Sequence, residues 1–220
     1  MSFQDIQGSH GLVTERAGYK KIEDCCAQAL AAGFPYVWID TCCIDKTNST
    51  ELSEAINSMF RWYQEAGTCY TYLADVSSVK EFAASRWFKR GWTLQELIAP
   101  THLLFFDSQW TEIGSRASLG EVITKVTGIP FTVLMNSPLE EHCIAEIMSW
   151  AAGRQTTRIE DRAYSLLGLF RISMPLIYGE GGKAFTRLQM EIMKTTTDHS
   201  LFAWYSTDLE YMIGGHSPIL

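Results

Sequence analysis

The stretch 38-WIDTCCIDK-46 sets Asp40, Cys42, Cys43, Asp45 and Lys46 directly behind an apolar run that begins at Tyr36. Three chemistries suit such a cluster: a metal site, a thiol nucleophile, or the lip of a ligand crevice. A structural metal would want a C-x-x-C pair or nearby histidines, and neither accompanies Cys42-Cys43 or the other vicinal pair, Cys25-Cys26. The sequence therefore predicts no metal. A thiol nucleophile at Cys42 or Cys43 needs a neighbouring base or a depressed pKa, and no histidine lies close in the chain. With Cys69 and Cys143 the cysteines form two vicinal pairs and two singles, a poor disulfide framework. They read as reduced thiols serving as small apolar residues.

A second cluster is 85-SRWFKRGWTLQELIAP-100. Here a lone acid, Glu96, follows a glycine on a short helical stretch flanked by Trp87, Arg90 and Trp92. Aromatic neighbours desolvate a carboxyl and raise its pKa, and their faces can stack on a nicotinamide or adenine ring. The bland reading makes the tryptophans core and pairs Glu96 with Arg90. The stretch 179-GEGGKAFTRL-188 lacks phosphate-loop spacing, because Ala184 stands where Ser or Thr is required; it reads as a glycine loop entering a helix. The mixed charges of 157-TRIEDRAYSLLGL-169 suit an ion-pair network between helices.

The elements that must position these residues follow from periodicity. Apolar positions from Tyr19 to Leu30 recur at helical spacing until Gly33, and a second helix carries Leu52, Ile56, Met59, Phe60 and Tyr63 until Gly67. Strands are expected at 36–40, 69–73 and 103–107, with a short helix at 92–99 stopped by Pro100. Strands alternating with helices predict parallel βαβ units in an open sheet. Asp40, Asp75 and Asp107 then fall at strand ends, where such sheets bind ligands; turn and cap roles compete at each. Past Ser108 helices are expected at 118–127, 138–152, 161–170 and 183–197, with capping boxes at Ser118/Glu121 and Ser137/Glu140. An apolar segment, 201-LFAWY-205, closes the pattern.

With 220 residues, 46% hydrophobic and 20% charged, the chain can bury a substantial core. Its net charge of −7, with no basic block, argues against nucleic-acid binding. No apolar run approaches the ~18 residues of a membrane span, and the polar start is unlike a signal peptide, so a cytoplasmic setting is expected.

At these residues the sequence resembles the fungal heterokaryon incompatibility (HET) domain family. The matching blocks are residues 38–46, 54–63, 87–100 with the signature 90-RGWTLQE-96, 157–168 and 178-YGEG-181. The resemblance implies a role in non-self recognition and programmed cell death, with likeness to TIR domains, many of which cleave the glycosidic bond of NAD. TIR domains place a catalytic acid in W-C-x-x-E-L; 92-WTLQEL-97 keeps the tryptophan-to-glutamate spacing with Thr93 for Cys. It thus implies Glu96 as the catalytic residue, with Asp40, Cys42, Asp45, Arg90 and Trp92 binding substrate. NAD would be substrate, not cofactor. Implied partners are proteins carrying nucleotide-binding oligomerisation modules, together with self-association. The implied fold is a TIR-like, doubly wound, mostly parallel α/β core over 1–110 with a helical extension over 111–220. HET domains open with an L-S-H-x-W-G strand; here Met1-Ser2-Phe3-Gln4-Asp5 stands instead, so a missing first strand and weakened activity are expected. The rival readings are a non-catalytic oligomerisation module and an inactive truncated paralogue.

Overall fold

The computed structural model describes residues 1–8 and 18–203, which form two compact units, residues 1–56 and the residues from 57 onward. Trp204 and Tyr205, the end of the expected apolar closing segment, lie outside the described residues; Leu201 and Phe202 belong to a 3-10 turn, His199–Phe202.

The first unit holds α1 (Phe3–Gln7) and α2 (Tyr19–Ala31) and begins α3 (Ser49–Glu65). Ser2 and Asp5 close a capping box on α1. Asn48 starts α3: its Oδ1 accepts from the Thr50 and Glu51 amides at 3.1 and 3.3 Å. The strand expected at 36–40 is not formed. Tyr36 is 90% exposed, and the Ile39 carbonyl instead accepts the amides of Cys42 and Cys43 at 3.1 and 2.9 Å. Those bonds spend on a local turn the group a ladder would need.

The second unit carries the sheet. Strands β1 (Cys69–Tyr72) and β2 (Leu103–Phe106) pair in parallel, Cys69 opposite Leu103, and the connection between them contains helix α4 (Thr93–Ile98). A third strand, β3 (Glu112–Ser115), pairs antiparallel with β2, so the order is β1-β2-β3 and the sheet continues past residue 110. Asp107 makes that reversal: it is buried, and its Oδ1 accepts from the Gln109 and Thr111 amides at 2.8 and 2.9 Å. The class is α/β, with a small mixed sheet among the described residues.

Beyond β3 come α5 (Gly120–Thr127), α6 (Phe131–Leu134), α7 (Ile144–Ser149), α8 (Asp161–Tyr164) and α9 (Lys183–Thr195). The helix expected over 138–152 is broken into a 3-10 turn, Leu139–Glu141, and the short α7. Neither serine caps as expected. Ser118 bonds back to Ser115, whose amide it accepts at 2.9 Å, while the hydroxyl of Ser137 is buried without a partner.

The run 157–169 is structural. Glu160 Oε1 accepts the amides of Gly179 and Gly181 at 2.8 and 3.0 Å, fixing the 178-YGEG-181 loop that enters α9. Tyr178 donates to Asp161, and Tyr164 donates to Glu180, which also takes Arg187 Nη1 at 2.7 Å. At the end of this run Gly168 lies so near α3 that a Cβ there would sit 2.1 Å from Phe60 Cβ. That atom is fixed to the helix and cannot swing aside. Gly168→Ala is therefore expected to cost about 2 kcal/mol, read as a lowered urea midpoint at unchanged slope. An unchanged midpoint would show that α3 yields freely.

Candidate functional site

Glu96 sits in the middle of α4, half-buried, on a shelf whose two ends are held by different buried arginines. At the N-terminal end the Thr93 hydroxyl donates to the Trp87 carbonyl at 2.6 Å and accepts from Arg154 Nη1 at 3.0 Å. The same Nη1 donates to the Arg90 carbonyl at 3.0 Å. At the C-terminal end Arg116 donates to the carbonyls of Leu97, Ile98 and Thr101 and to Asn136 Oδ1, at 2.8, 3.1, 3.3 and 2.6 Å. A cation on the last carbonyls of a helix satisfies their lone pairs and complements its dipole. Burial lowers both guanidinium pKa values to about 10, and both side chains remain charged at neutral pH.

Beneath the shelf lies an aromatic floor. Phe105 of β2 meets Phe82 and Trp87 edge-to-face, with centroids 5.0 and 5.6 Å apart. Trp87 is buried, yet its Nε1 donates to Glu96 Oε2 at 3.3 Å. One tryptophan is thus both core and the partner of the acid. The charge that reaches the buried Arg154 is that of Glu96. Arg90, expected to pair with Glu96 or bind substrate, has an exposed side chain and contributes its carbonyl to the clamp. Trp92 is half-buried at the N-cap of α4.

Asp40, Cys42 and Asp45 belong to the first unit. Asp40 lies 3.9 Å from Lys46 in an exposed pair. Asp45 accepts the Thr47 amide and hydroxyl at 2.9 and 2.6 Å, and these bonds hold its carboxyl below the usual range. Cys42 is buried, which pushes its thiol up to about 11, whereas Cys43 is exposed. All six cysteines are free thiols, and among the described residues no three metal-ligating side chains converge. Alkylation at pH 8 should therefore modify Cys26, Cys43 and Cys143 well before Cys25 and Cys42, as mass spectrometry can resolve. A Cys42 that reacts first would mark it as an activated nucleophile.

Of the other acids at strand ends, Asp75 accepts from the Ser85 hydroxyl and the Arg86 amide at 2.9 and 2.8 Å, and so starts the 3-10 turn Arg86–Lys89 that carries Trp87. Asp107 organises its hairpin, as above. Both are turn residues. A wide cavity of the second unit, about 880 Å³, is lined by Asn57, Arg61, Ser137 and Arg171 among others; Glu96 does not line it.

Comparison with known proteins gives the family of the chain. A family model described as heterokaryon incompatibility protein (HET) matches residues 9–83, and one described as a domain of unknown function (DUF8212) matches residues 183–216. The vegetative incompatibility protein HET-E-1 of Podospora anserina is 50% identical over 206 residues, covering 88% of this chain. The chain belongs to the HET family. Its aligned region spans 15% of the length of that relative. No solved structure matches the chain. The similarity to HET-E-1 extends far past the residues of the HET family model, and so takes in the helices beyond β3 as well as the sheet.

Sequence reasoning singled out Glu96 as a candidate and missed both arginines that hold its helix. The signal for Arg154 is its isolation: residues 147–153 carry no charge, and an arginine closing such a stretch has no local acid to pair with. Arg116, between Ser115 and Ala117, gives no comparable sign. Among the described residues no helix is long and apolar enough to cross a membrane.

Proposed function

We propose that this HET chain is an effector of fungal non-self recognition and cell death, acting in the cytoplasm by hydrolysing the nicotinamide–ribose bond of NAD at Glu96. The observation that carries the reading is the placement of Glu96 on the helix within a parallel β1–α4–β2 unit, half-buried over Trp87 and clamped at both ends. A TIR-like core is built on the same kind of unit, and 92-WTLQEL-97 keeps its tryptophan-to-glutamate spacing.

The chemistry asked of Glu96 is electrostatic. As the C1′–N1 bond breaks, nicotinamide leaves with the electron pair and its ring loses the positive charge. The ribosyl carbon becomes oxocarbenium-like, and a carboxylate fixed nearby stabilises it, or holds the ribose hydroxyls, until water attacks C1′ and sheds a proton. The products are nicotinamide, ADP-ribose and H⁺. A carboxylate serves best when it need not reorganise, and the arginine clamps give α4 that rigidity. Trp92, half-buried one turn before Glu96, offers a face for a ring.

Purified protein incubated with NAD should release nicotinamide and ADP-ribose in equal amounts. The rival reading, a non-catalytic module that assembles with itself or with proteins carrying nucleotide-binding oligomerisation modules, is favoured by Leu30 and Tyr36, 73% and 90% exposed. Intact NAD, together with a concentration-dependent rise in particle size, would establish that rival.

A further inference from the structure

Four buried side-chain polar atoms among the described residues lack a partner, and only one of them, Arg154 Nη2, belongs to a charged group. The rest of that guanidinium is used: Nη1 serves Arg90 and Thr93, and Nε donates to the Trp150 carbonyl at 3.2 Å. All three acceptors are neutral. Arg154 is 8% exposed, and Glu96 acts on it as charge without forming an ion pair with it. A buried cation left with neutral partners is costly, and a buried donor without an acceptor calls for a ligand.

Arg154 also lines a small cavity together with Gly91, Thr156, Arg162, Ser165 and Phe185. Its free space is about 20 Å³, room for one or two oxygen-sized groups by the measure that a single water needs about 10–15 Å³. Gly91 keeps this wall bare. A Cβ there would stand 2.5 Å from Thr156 Cγ2 and 3.4 Å from Ser165 Oγ, so any side chain would crowd the cavity. A second guanidinium, Arg162, enters the lining from α8.

We propose that this cavity is an anion site, in which the buried Arg154 and the half-buried Arg162 hold one or two oxygens of a phosphate-class oxyanion whose remainder projects from the opening. Two guanidinium groups beside a serine hydroxyl supply charge and a planar fork of donors, the pattern that suits phosphate oxygens. Occupancy would also supply the acceptor that Arg154 Nη2 lacks, and through Nη1 it would stiffen the N-terminal end of α4.

Inorganic phosphate alone tests the site, independently of any action on NAD. The full chain is melted across a phosphate series at constant ionic strength, with chloride as the balancing and control anion. A saturable rise in Tm, on the order of 5 °C, is expected with phosphate and not with chloride. Arg162→Gln should melt within a few degrees of the parent without phosphate and bind phosphate at least ten-fold more weakly. Should that variant not fold, Arg162→Lys decides: it keeps the charge, loses the fork and should bind more weakly than the parent. Equal phosphate response in parent and variant, a rise matched by chloride, or no saturable rise would overturn the site; the cavity then holds water.

Discussion

Arg116→Met is expected to destabilise the second unit by on the order of 3 kcal/mol, lowering Tm by roughly 6–12 °C. Two effects oppose each other. Methionine fills similar space, and removing a guanidinium that is only 3% exposed relieves a desolvation penalty. Against this, four acceptors lose a charged donor at once: the carbonyls of Leu97, Ile98 and Thr101 and the Asn136 side chain. A bond to a charged group contributes about 1.5–3 kcal/mol, and acceptors left buried without a donor cost more than the bonds alone. The loss therefore wins. Because those carbonyls end α4, the variant should also loosen Glu96, seen as faster amide exchange across Thr93–Ile98 at temperatures where the rest of the unit is still folded. An unchanged Tm would mean that water reaches these carbonyls and that the clamp is not what fixes the helix.

Much of this shelf was legible. Helices α2, α3 and α4 follow from apolar spacing with glycine or proline stops, α9 falls within the helix expected at 183–197, and the parallel pair β1–β2 follows from two β-rich runs separated by a helix. Glu96 stood out because a lone acid among tryptophans is unusual, and the structure gives it Trp87 as partner where the sequence offered Arg90. The run 36-YVWID-40 shows the limit of pattern reading. Its composition is that of a strand, but Ile39 spends its carbonyl on Cys42 and Cys43. Strand formation is settled by which backbone groups find a ladder, and composition carries no such information. The strand β3 was hidden for the opposite reason, since Glu112-Ile113-Gly114-Ser115 has little β character and owes its place to the Asp107 turn.

Arg116 and Arg154 were invisible for a further reason. Their partners lie 15–20 and 61–64 residues away, counting the Leu97, Ile98, Thr101, Asn136, Arg90 and Thr93 contacts, and no local pattern reports a contact at that range. The same holds for Gly168, whose lack of a side chain acquires its reason only when Phe60 arrives on α3.

Nicotinamide release by the parent chain and by Glu96→Gln, measured side by side on protein that melts at the same temperature, tests the proposed reaction most directly. Glutamine keeps the volume of glutamate and an oxygen that can accept from Trp87 Nε1, now 3.3 Å from the carboxylate, so folding should be preserved. What it removes is the negative charge that steadies the ribosyl cation. Loss of one such electrostatic group costs about 10²–10³ in rate, and turnover by the variant should fall to the limit of detection. A Glu96→Gln protein that releases nicotinamide as fast as the parent would show that α4, however firmly held, does not carry the reaction.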